Sequence, residues 1–367
     1  MIVTFPHMGT MHITLRTLFA DLGLEVMPPP PITKKTRDLG AKYAPEMTCL
    51  PFKITLGNFI ESLEQGADTI ITCGGVGPCR LGYYAEVQKN ILKELGFKFE
   101  LIIIEPNIIE VLKTLYRLTP GKSWKRIYTA FKLAGAKMTA LDSIEEKICC
   151  IRPREKVSGI ADLLWQQAVN GIEVARDIDN VKTVTEVFNE KMNKVELEWG
   201  YDLLRIGIVG EIYVMLEPFV NQDIVRHLGK MGVEVHKTMF LTDYVRVHLQ
   251  RDRQYYNAYR EIADMAKPYL GHYVGGHAIK SIGCAVQMSK AGLDGIIQVF
   301  PFNCMPEIIA KNILPQVSRE VNMPILSLAF DEQSGEAGLL TRLEAFIDLL
   351  EYRRGQKGKS SAIKGTK

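Results

Sequence analysis

The chain lacks several features that define large classes of protein. Its 367 residues contain no apolar run of about 18 residues, so no segment is predicted to cross a bilayer. Neither sign of charge dominates, because 45 Lys and Arg face 42 Asp and Glu, and this balance argues against a nucleic-acid or membrane partner. The sequence has no Walker motif and no complete G-x-G-x-x-G fingerprint, so the chain itself is not expected to bind ATP or NAD.

The cysteine patterns of disulfide-rich and zinc proteins are also missing. Seven cysteines, an odd number, occur without a secretion signal, which argues against a disulfide framework and favours a cytoplasmic location. The sequence contains no C-x2-C-x2-C run of the ferredoxin type and no pair of tight C-x2-C motifs of the zinc type. A metal site built from these cysteines would therefore combine distant parts of the chain.

Alternating strand and helix patterns occupy both ends of the chain. They run through residues 1–145 and restart over residues 201–354, and such alternation predicts parallel βαβ units. We therefore expect an α/β fold with two similar parallel-sheet domains that face a cleft. Residues 146–200 lack strand patterns and are predicted to form a helical connector. The Lys-, Gly- and Ser-rich residues 355–367 are predicted to be a disordered tail.

Five cysteines lie near the predicted carboxyl ends of strands, where open parallel sheets bind ligands. Cys49 is expected to open a helix, and Cys73 and Cys79 flank a glycine-rich turn that follows a strand. Cys304 directly follows another strand, and Cys284 precedes that strand by one short helix. Thiolates gathered at such an edge suggest a metal, and we favour iron–sulfur over zinc.

Two neighbouring features bear on this interpretation. Gly74, Gly75 and Gly77 would let backbone amides approach the sulfur atoms closely. Glu211 follows the first strand of the second half and is a candidate acid, base or hydrogen-bond acceptor. For Cys149 and Cys150, burial as small packing residues is an equal alternative to any function.

Two ordered sets of motifs resemble the 2-hydroxyacyl-CoA dehydratase family. The likeness extends over most of the chain and is weakest over residues 120–200. The chain is similar in particular to the compact relatives that accompany the ATP-dependent activase of that system. The motifs are Tyr43–Lys53, Gly57, Gly66–Ile70 and Cys79-Arg80 in the first half, and Gly292–Ile297, Asn303-Cys304, Met323–Leu326, Asp331-Glu332 and Thr341–Phe346 in the second.

This resemblance implies two Rossmann-like domains and a 4Fe-4S cluster held by three cysteines, two early and one late. Cys49, Cys79 and Cys304 match those three positions. The resemblance also implies a homodimer and a separate ATP-dependent activase that delivers low-potential electrons. In the family, these electrons serve a reductive or radical dehydration reaction at an iron that has no cysteine ligand.

Cys73 and Cys284 depart from the three-cysteine pattern, and they leave several interpretations open. A fourth cysteine ligand, for which Cys284 is a candidate, would close the cluster and make the protein a non-catalytic electron-transfer component. Additional ligands would instead suit a double-cubane cluster, which occurs in a related branch of the family. Alternatively, both are thiols beside the cluster. A metal-free α/β binding module whose cysteines merely line a pocket is the remaining alternative.

Overall fold

The computed structural model describes residues 1–75, 77–199 and 202–364. Two α/β halves flank a set of helices, as the sequence predicts. The elements of the first half are β1 (Ile2–Thr4), α1 (Met11–Asp21), β2 (Glu25–Val26), α2 (Lys34–Tyr43), α3 (Leu50–Glu64), β3 (Thr69–Cys73), α4 (Leu81–Glu94), β4 (Glu100–Ile104) and α5 (Ile108–Leu118).

The helical connector packs as a small bundle with its own apolar contacts. Ile144 and Ile148 on its first helix pack with Leu164 and Phe188 on the next two. Its helices are α6 (Trp124–Ile151), α7 (Ile160–Val174) and α8 (Ile178–Asn193), with a 3-10 turn at Arg152–Arg154.

The second half repeats the strand–helix alternation and ends in a long helix. Its elements are β5 (Leu204–Gly210), α9 (Ile212–Leu216), α10 (Pro218–Asn221), α11 (Ile224–Lys230), β6 (Val233–Lys237), α12 (Leu241–Tyr244), a π-helical turn (Val245–Leu249), α13 (Arg253–Ala266), α14 (Ala278–Lys290), β7 (Gly295–Pro301), α15 (Met305–Glu320), β8 (Ile325–Phe330) and α16 (Glu336–Lys364).

Both halves have the same sheet topology. The described residues form two four-stranded sheets, in the orders β2-β1-β3-β4 and β6-β5-β7-β8, and every pairing is parallel. The prediction of two Rossmann-like α/β domains is therefore confirmed. In each sheet the strand order reverses between the first and third strands of the half, so the crevice for a ligand lies at the carboxyl ends of β1 and β3, and of β5 and β7.

Helix α3 belongs to the cores of both halves. Leu50 and Ile54 pack in one apolar cluster with Ile206 of the second sheet. Phe52 and Phe59, on other faces of the same helix, pack in the cluster that contains Ile70 of the first sheet. Every residue of α3 from Leu50 to Leu63 except Lys53 is buried, so the helix is a central element of the fold. Cys49, at its start, is thereby fixed between the two halves.

Polar contacts also join the halves. Lys53 of α3 forms an ion pair with Glu332, which follows β8. His7, after β1, lies 2.9 Å from a carboxylate oxygen of Glu217, and its carbonyl accepts a 2.8 Å hydrogen bond from the Tyr213 hydroxyl. The first and second halves therefore meet along an extended, specific contact.

Several elements differ from the sequence prediction. The strand–helix patterns did not indicate α2 or α6, and the expected boundary at residue 145 falls inside α6. The apolar spacing of residues 219–231 predicts a single helix, but the structure has α10 and α11 there, because Gln222 and Asp223 adopt left-handed backbone conformations that interrupt it. Helix α16 continues to Lys364, through most of the tail expected to be disordered. Residues 365–367 of that tail lie outside the described residues.

A membrane span requires a helix of sufficient length and hydropathy. No helix in the described ranges is both long enough and apolar enough to cross a membrane. This agrees with the absence of a long apolar run in the sequence.

Reciprocal glycines fix the contact between α2 and α3, and they generate a stability prediction. A Cβ atom on Gly57 would lie 1.9 Å from the carbonyl oxygen of Thr36, and a Cβ on Gly40 would lie 1.7 Å from that of Lys53. We expect Gly57→Ala to force the helices apart and to lower the free energy of unfolding by about 1–3 kcal/mol in urea titrations.

The matched control is Gly135→Ala in α6. A Cβ at this glycine would meet no atom within 4 Å, so the better helix propensity of alanine should stabilise the protein by up to about 1 kcal/mol. Equal effects of the two substitutions would contradict the packing argument.

Candidate functional site

The candidate site lies where the carboxyl ends of the two sheets face each other. Cys73 ends β3, Glu211 directly follows β5, and Cys304 follows β7 by three residues. Gly210 makes a sharp exit from β5 with a φ of 145°, and a Cβ there would lie 1.8 Å from the carbonyl oxygen of Val299. These residues therefore occupy the crevices predicted by the strand order.

Cys49 is held at the start of α3. It is the residue before the first helical turn, Pro51 lies within that turn, and the thiol accepts or donates a hydrogen bond with the Tyr84 hydroxyl. The ring of Tyr84 packs edge-on against Phe52, with 5.0 Å between centroids. Burial raises the pKa of the Cys49 thiol to about 11.

Cys304 has the equivalent position at the start of α15. It is 9 % exposed, and the residue before it, Asn303, has a left-handed backbone with a φ of 63°. Burial raises the pKa of its thiol, and the carboxylates of Glu211 and Glu307 and the thiol of Cys49 raise it further. The side-chain amide of Asn303 donates to the sulfur of Met47 over 3.6 Å, so the loops that precede Cys304 and Cys49 are in contact, although 255 positions separate the two cysteines in the sequence.

Cys79 lies in the loop before α4 and completes this group. Burial raises the pKa of its thiol, and Glu211 contributes in the same direction. Burial raises the pKa of the Tyr84 phenol, and the thiols of Cys49 and Cys79 raise it further. Across the cleft, a Cβ on Gly275 would lie 2.9 Å from the Cys79 amide nitrogen. Arg80, the residue after Cys79, donates hydrogen bonds to the carbonyl oxygens of Met47 and Asn303, so the three loops that carry Cys49, Cys79 and Cys304 meet at this cleft.

Cys73 lies on the same cleft, near Tyr244 of α12. Cys73 is exposed. Burial raises the pKa of the Tyr244 phenol in α12 to about 12, and the thiols of Cys73 and Cys79 contribute in the same direction. A Cβ on the adjacent Gly74 would meet the carboxylate of Glu105 at 2.4 Å. Cys73 is therefore near the three grouped cysteines but is more open to solvent than Cys49 or Cys304.

Cys284 does not lie at the edge of the sheet, contrary to our expectation. It sits in the body of α14, is 1 % exposed, and packs in an apolar cluster with Ile282 and Val209. Burial raises the pKa of its thiol to about 11, and the nearby charges are those of Lys280 and Asp243. The reason is the helical register, which directs this position toward the apolar core. This placement favours a buried core thiol.

The remaining cysteines, Cys149 and Cys150, lie in α6 away from the three grouped thiols. Cys149 is buried and Cys150 is exposed. Cys149 lines a separate cavity of about 560 Å³ between the loop at residues 7–11, α6, α7 and the short helices after β5. That cavity contains none of the five cysteines predicted to lie at a ligand site.

Two carboxyl groups with unusual acidity flank the cysteines. Burial raises the pKa of Glu211 to about 7 and that of Glu307 to about 7. Glu307 is fully buried in the first turn of α15, where Ser281 donates hydrogen bonds of 3.0 and 3.1 Å and the amide of Gln298 donates one of 2.8 Å. Both acids can therefore change protonation state near neutral pH.

The opposite wall of the cleft carries uncharged aromatic and imidazole groups. The π-helical turn after α12 places the rings of Tyr244 and His248 at 4.7 Å, and the ring of His277 lies 6.2 Å from that of Tyr244. Burial lowers the pKa of His277 to about 3, and its Nδ1 atom has no hydrogen-bond partner among the described residues. Such π-helical turns occur frequently at functional sites.

The donor atoms that the three cysteine loops offer are thiol sulfurs. Among the described residues, no group of three or more His, Cys, Asp or Glu side chains lies close enough together to hold one metal ion. An iron–sulfur cluster is wider than one ion and takes thiolate ligands from several loops. Three thiols from three loops, two of them at helix N-termini, have the chemistry that such a group requires.

Sequence reasoning missed several residues of this site. Tyr84, Arg80 and Glu307 each contact a cysteine or the backbone beside one. The proximity of Arg80 to Cys79 and of Glu307 to Cys304 in the sequence was an available signal. Tyr244 had none, because it ends the four-residue helix α12 directly before a π-helical turn, and no sequence pattern indicates either element.

Comparison with known proteins gives a match to part of the chain. Residues 7–72 match the family model described as the CoA enzyme activase uncharacterised domain (DUF2229). The matched segment contains Cys49 and ends just before Cys73, so it excludes Cys79 and Cys304. No match to the chain was found among curated proteins. The match links this part of the chain to CoA enzyme activase systems.

The acidity of Glu307 predicts how stability depends on pH. Because the folded protein binds a proton at Glu307 up to about pH 7 and the unfolded chain releases it near pH 4.5, the free energy of unfolding should fall as pH rises through this window. In the metal-free protein, Glu307→Gln should remove roughly 1–3 kcal/mol of that fall, measured by urea titration at several pH values.

The control is Glu94→Gln, at an exposed carboxylate on α4. Its pH profile should parallel that of the wild type. A profile for Glu307→Gln with the wild-type slope would show that the buried carboxyl does not titrate in this range.

Proposed function

We propose that the protein holds an iron–sulfur cluster through Cys49, Cys79 and Cys304. We further propose that it accepts low-potential electrons from an ATP-dependent activase for a reductive or radical dehydration reaction. The observation that carries the proposal is the convergence of three cysteine loops from both halves, which Arg80 joins by hydrogen bonds to Met47 and Asn303. The match of residues 7–72 to the CoA enzyme activase uncharacterised domain supports a link to CoA enzyme activase systems.

The chain itself supplies the conditions for thiolate ligands. Cys49 and Cys304 each precede the first turn of a long helix, where backbone N–H groups and the helix dipole favour negative charge. Burial raises the pKa of both thiols, so they bind metal with release of protons. When bound, the cluster would supply one-electron transfer.

Glu211 is the residue best suited to hold or move a proton beside the cysteines. Its carboxylate accepts a 3.1 Å hydrogen bond from the amide of Val214, and burial raises its pKa to about 7. A group with a pKa near the working pH is an effective acid or base. His277 and Tyr244 across the cleft stay uncharged at that pH, so they can orient a substrate by hydrogen bonds.

A closed cluster in an electron-transfer protein is the second candidate. The observation that favours it is the position of Cys73 on the same cleft as Cys79, since both thiols contribute to the raised pKa of Tyr244. A fourth thiolate ligand would leave no iron open to substrate. The buried position of Cys284 in the apolar cluster makes it the weaker choice for that ligand.

The proposal predicts which cysteines determine metal content. After anaerobic reconstitution, Cys49→Ser and Cys304→Ser should each lose most of the iron and sulfide bound by the wild type, because each removes one of three ligands. Total iron, acid-labile sulfide and visible absorption measure the loss. Cys150→Ser is the control, since Cys150 is exposed on α6, and it should keep the wild-type content.

Two results would contradict the proposal. One is a wild-type protein that stays free of iron and sulfide under strict anaerobiosis, which would favour a metal-free binding module. The other is full cluster content in both Cys49→Ser and Cys304→Ser.

A spectroscopic test separates the open cluster from the closed one. We expect cyanide added to the reduced wild-type protein to change its electron paramagnetic resonance spectrum, because an iron without a cysteine ligand can bind it. An unchanged spectrum in the wild type, together with a change in Cys73→Ser, would identify Cys73 as a fourth ligand and favour the electron-transfer function.

A further inference from the structure

We infer that Arg80 is the positioning residue that holds the three cysteine loops together across the cleft. Arg80 directly follows Cys79 in the sequence, so its backbone belongs to one of the three loops. Its side chain reaches the other two. The contacts of one guanidinium therefore link all three parts of the proposed cluster site.

The contacts are specific on both sides of the cleft. Nη1 donates a 3.0 Å hydrogen bond to the carbonyl oxygen of Met47, two residues before Cys49. Nη2 donates a 2.5 Å hydrogen bond to the carbonyl oxygen of Asn303, the residue before Cys304. In addition, the side-chain amide of Asn303 donates to the sulfur of Met47 over 3.6 Å. The two loops thus also contact each other beside the guanidinium.

The backbone at both acceptors is unusual. Met47 and Asn303 are left-handed, with φ of 61° and 63°. This conformation is uncommon for residues other than glycine, and for methionine in particular it is maintained only when the surroundings require it. Asparagine adopts this conformation more readily, so the strain lies at Met47, and both residues present their carbonyl oxygens to the same guanidinium. The left-handed conformations and the hydrogen bonds occur together at both residues, which indicates that Arg80 stabilises both loop conformations.

The chemistry of arginine suits this task better than that of lysine. The planar guanidinium offers donors at fixed separations and stays charged, whereas the lysine ammonium is a compact point charge. The Arg80 charge also acts on the cysteines. Burial raises the pKa of the Cys49 and Cys79 thiols, and the positive charge of Arg80 lowers it by a smaller amount.

The importance of Arg80 for cluster assembly rests on the proposed function, but its contacts exist in the metal-free chain and can be tested there. We expect Arg80→Ala to accelerate amide hydrogen exchange in the metal-free protein by about tenfold or more in peptides covering residues 45–53 and 301–308, because two charge-assisted hydrogen bonds are lost. Added methylguanidine should restore slow exchange in this variant, and methylammonium should not.

Arg80→Lys separates charge from geometry. It keeps the charge but lacks the planar fork, so exchange in both loops should be closer to Arg80→Ala than to the wild type; it also serves as the second variant if Arg80→Ala fails to fold. Arg319→Ala is the control, since Arg319 is exposed near the other end of α15. In Arg319→Ala, amide hydrogen exchange in residues 45–53 and 301–308 should match that of the wild type. Wild-type exchange in both loops of Arg80→Ala would overturn the inference.

The loaded protein gives an independent result. After anaerobic reconstitution, Arg80→Ala should bind less than half of the wild-type iron, and methylguanidine present during reconstitution should raise that amount. A wild type without iron would end the proposed function but leave the exchange result valid. Full iron content in Arg80→Ala would show that positioning by Arg80 is not needed for the cluster.

Discussion

The packing of α3 in two cores at once is the constraint on which the rest of the structure depends. Leu50 and Ile54 pack with the second sheet, and Phe52 and Phe59 pack with the first. Burial of each such side chain contributes about 1.5–3 kcal/mol, so the halves cannot separate without a large loss of stability. Cys49, at the start of α3, is therefore positioned by the fold itself, and the other cysteine loops are arranged around it.

Much of the fold could be predicted because most strands and helices follow simple patterns of apolar residues. The two missed helices do not. Helix α6 buries Lys137 and Asp142 on its core side, where Lys137 donates to the carbonyl oxygen of Glu173 and Asp142 accepts from the amide of Thr242. Helix α2 buries Thr36 and Gly40 in place of large apolar residues. Polar or small residues at buried positions hide the helical period, and only the tertiary partners explain them.

The candidate site could be predicted in outline but not in detail. Strand ends indicated where Cys49, Cys79 and Cys304 would lie, since the carboxyl ends of parallel strands meet at one edge. The same reasoning placed Cys284 there wrongly, because it did not consider which face of α14 the residue occupies. Arg80 bonds residues 33 and 223 positions away. Contacts of this kind depend on how the two halves meet, which local sequence patterns do not encode.

The length of α6 has a mechanical consequence for the cleft. Its 28 residues form a continuous rod of about 42 Å. The rod packs against α1 of the first half, and its Glu145 forms an ion pair with Lys237 of β6 in the second. A flexible linker would allow the halves to swing apart like a hinge. A rigid splint of this kind instead limits them to small sliding displacements, so any ligand must reach the cysteines through a nearly constant opening.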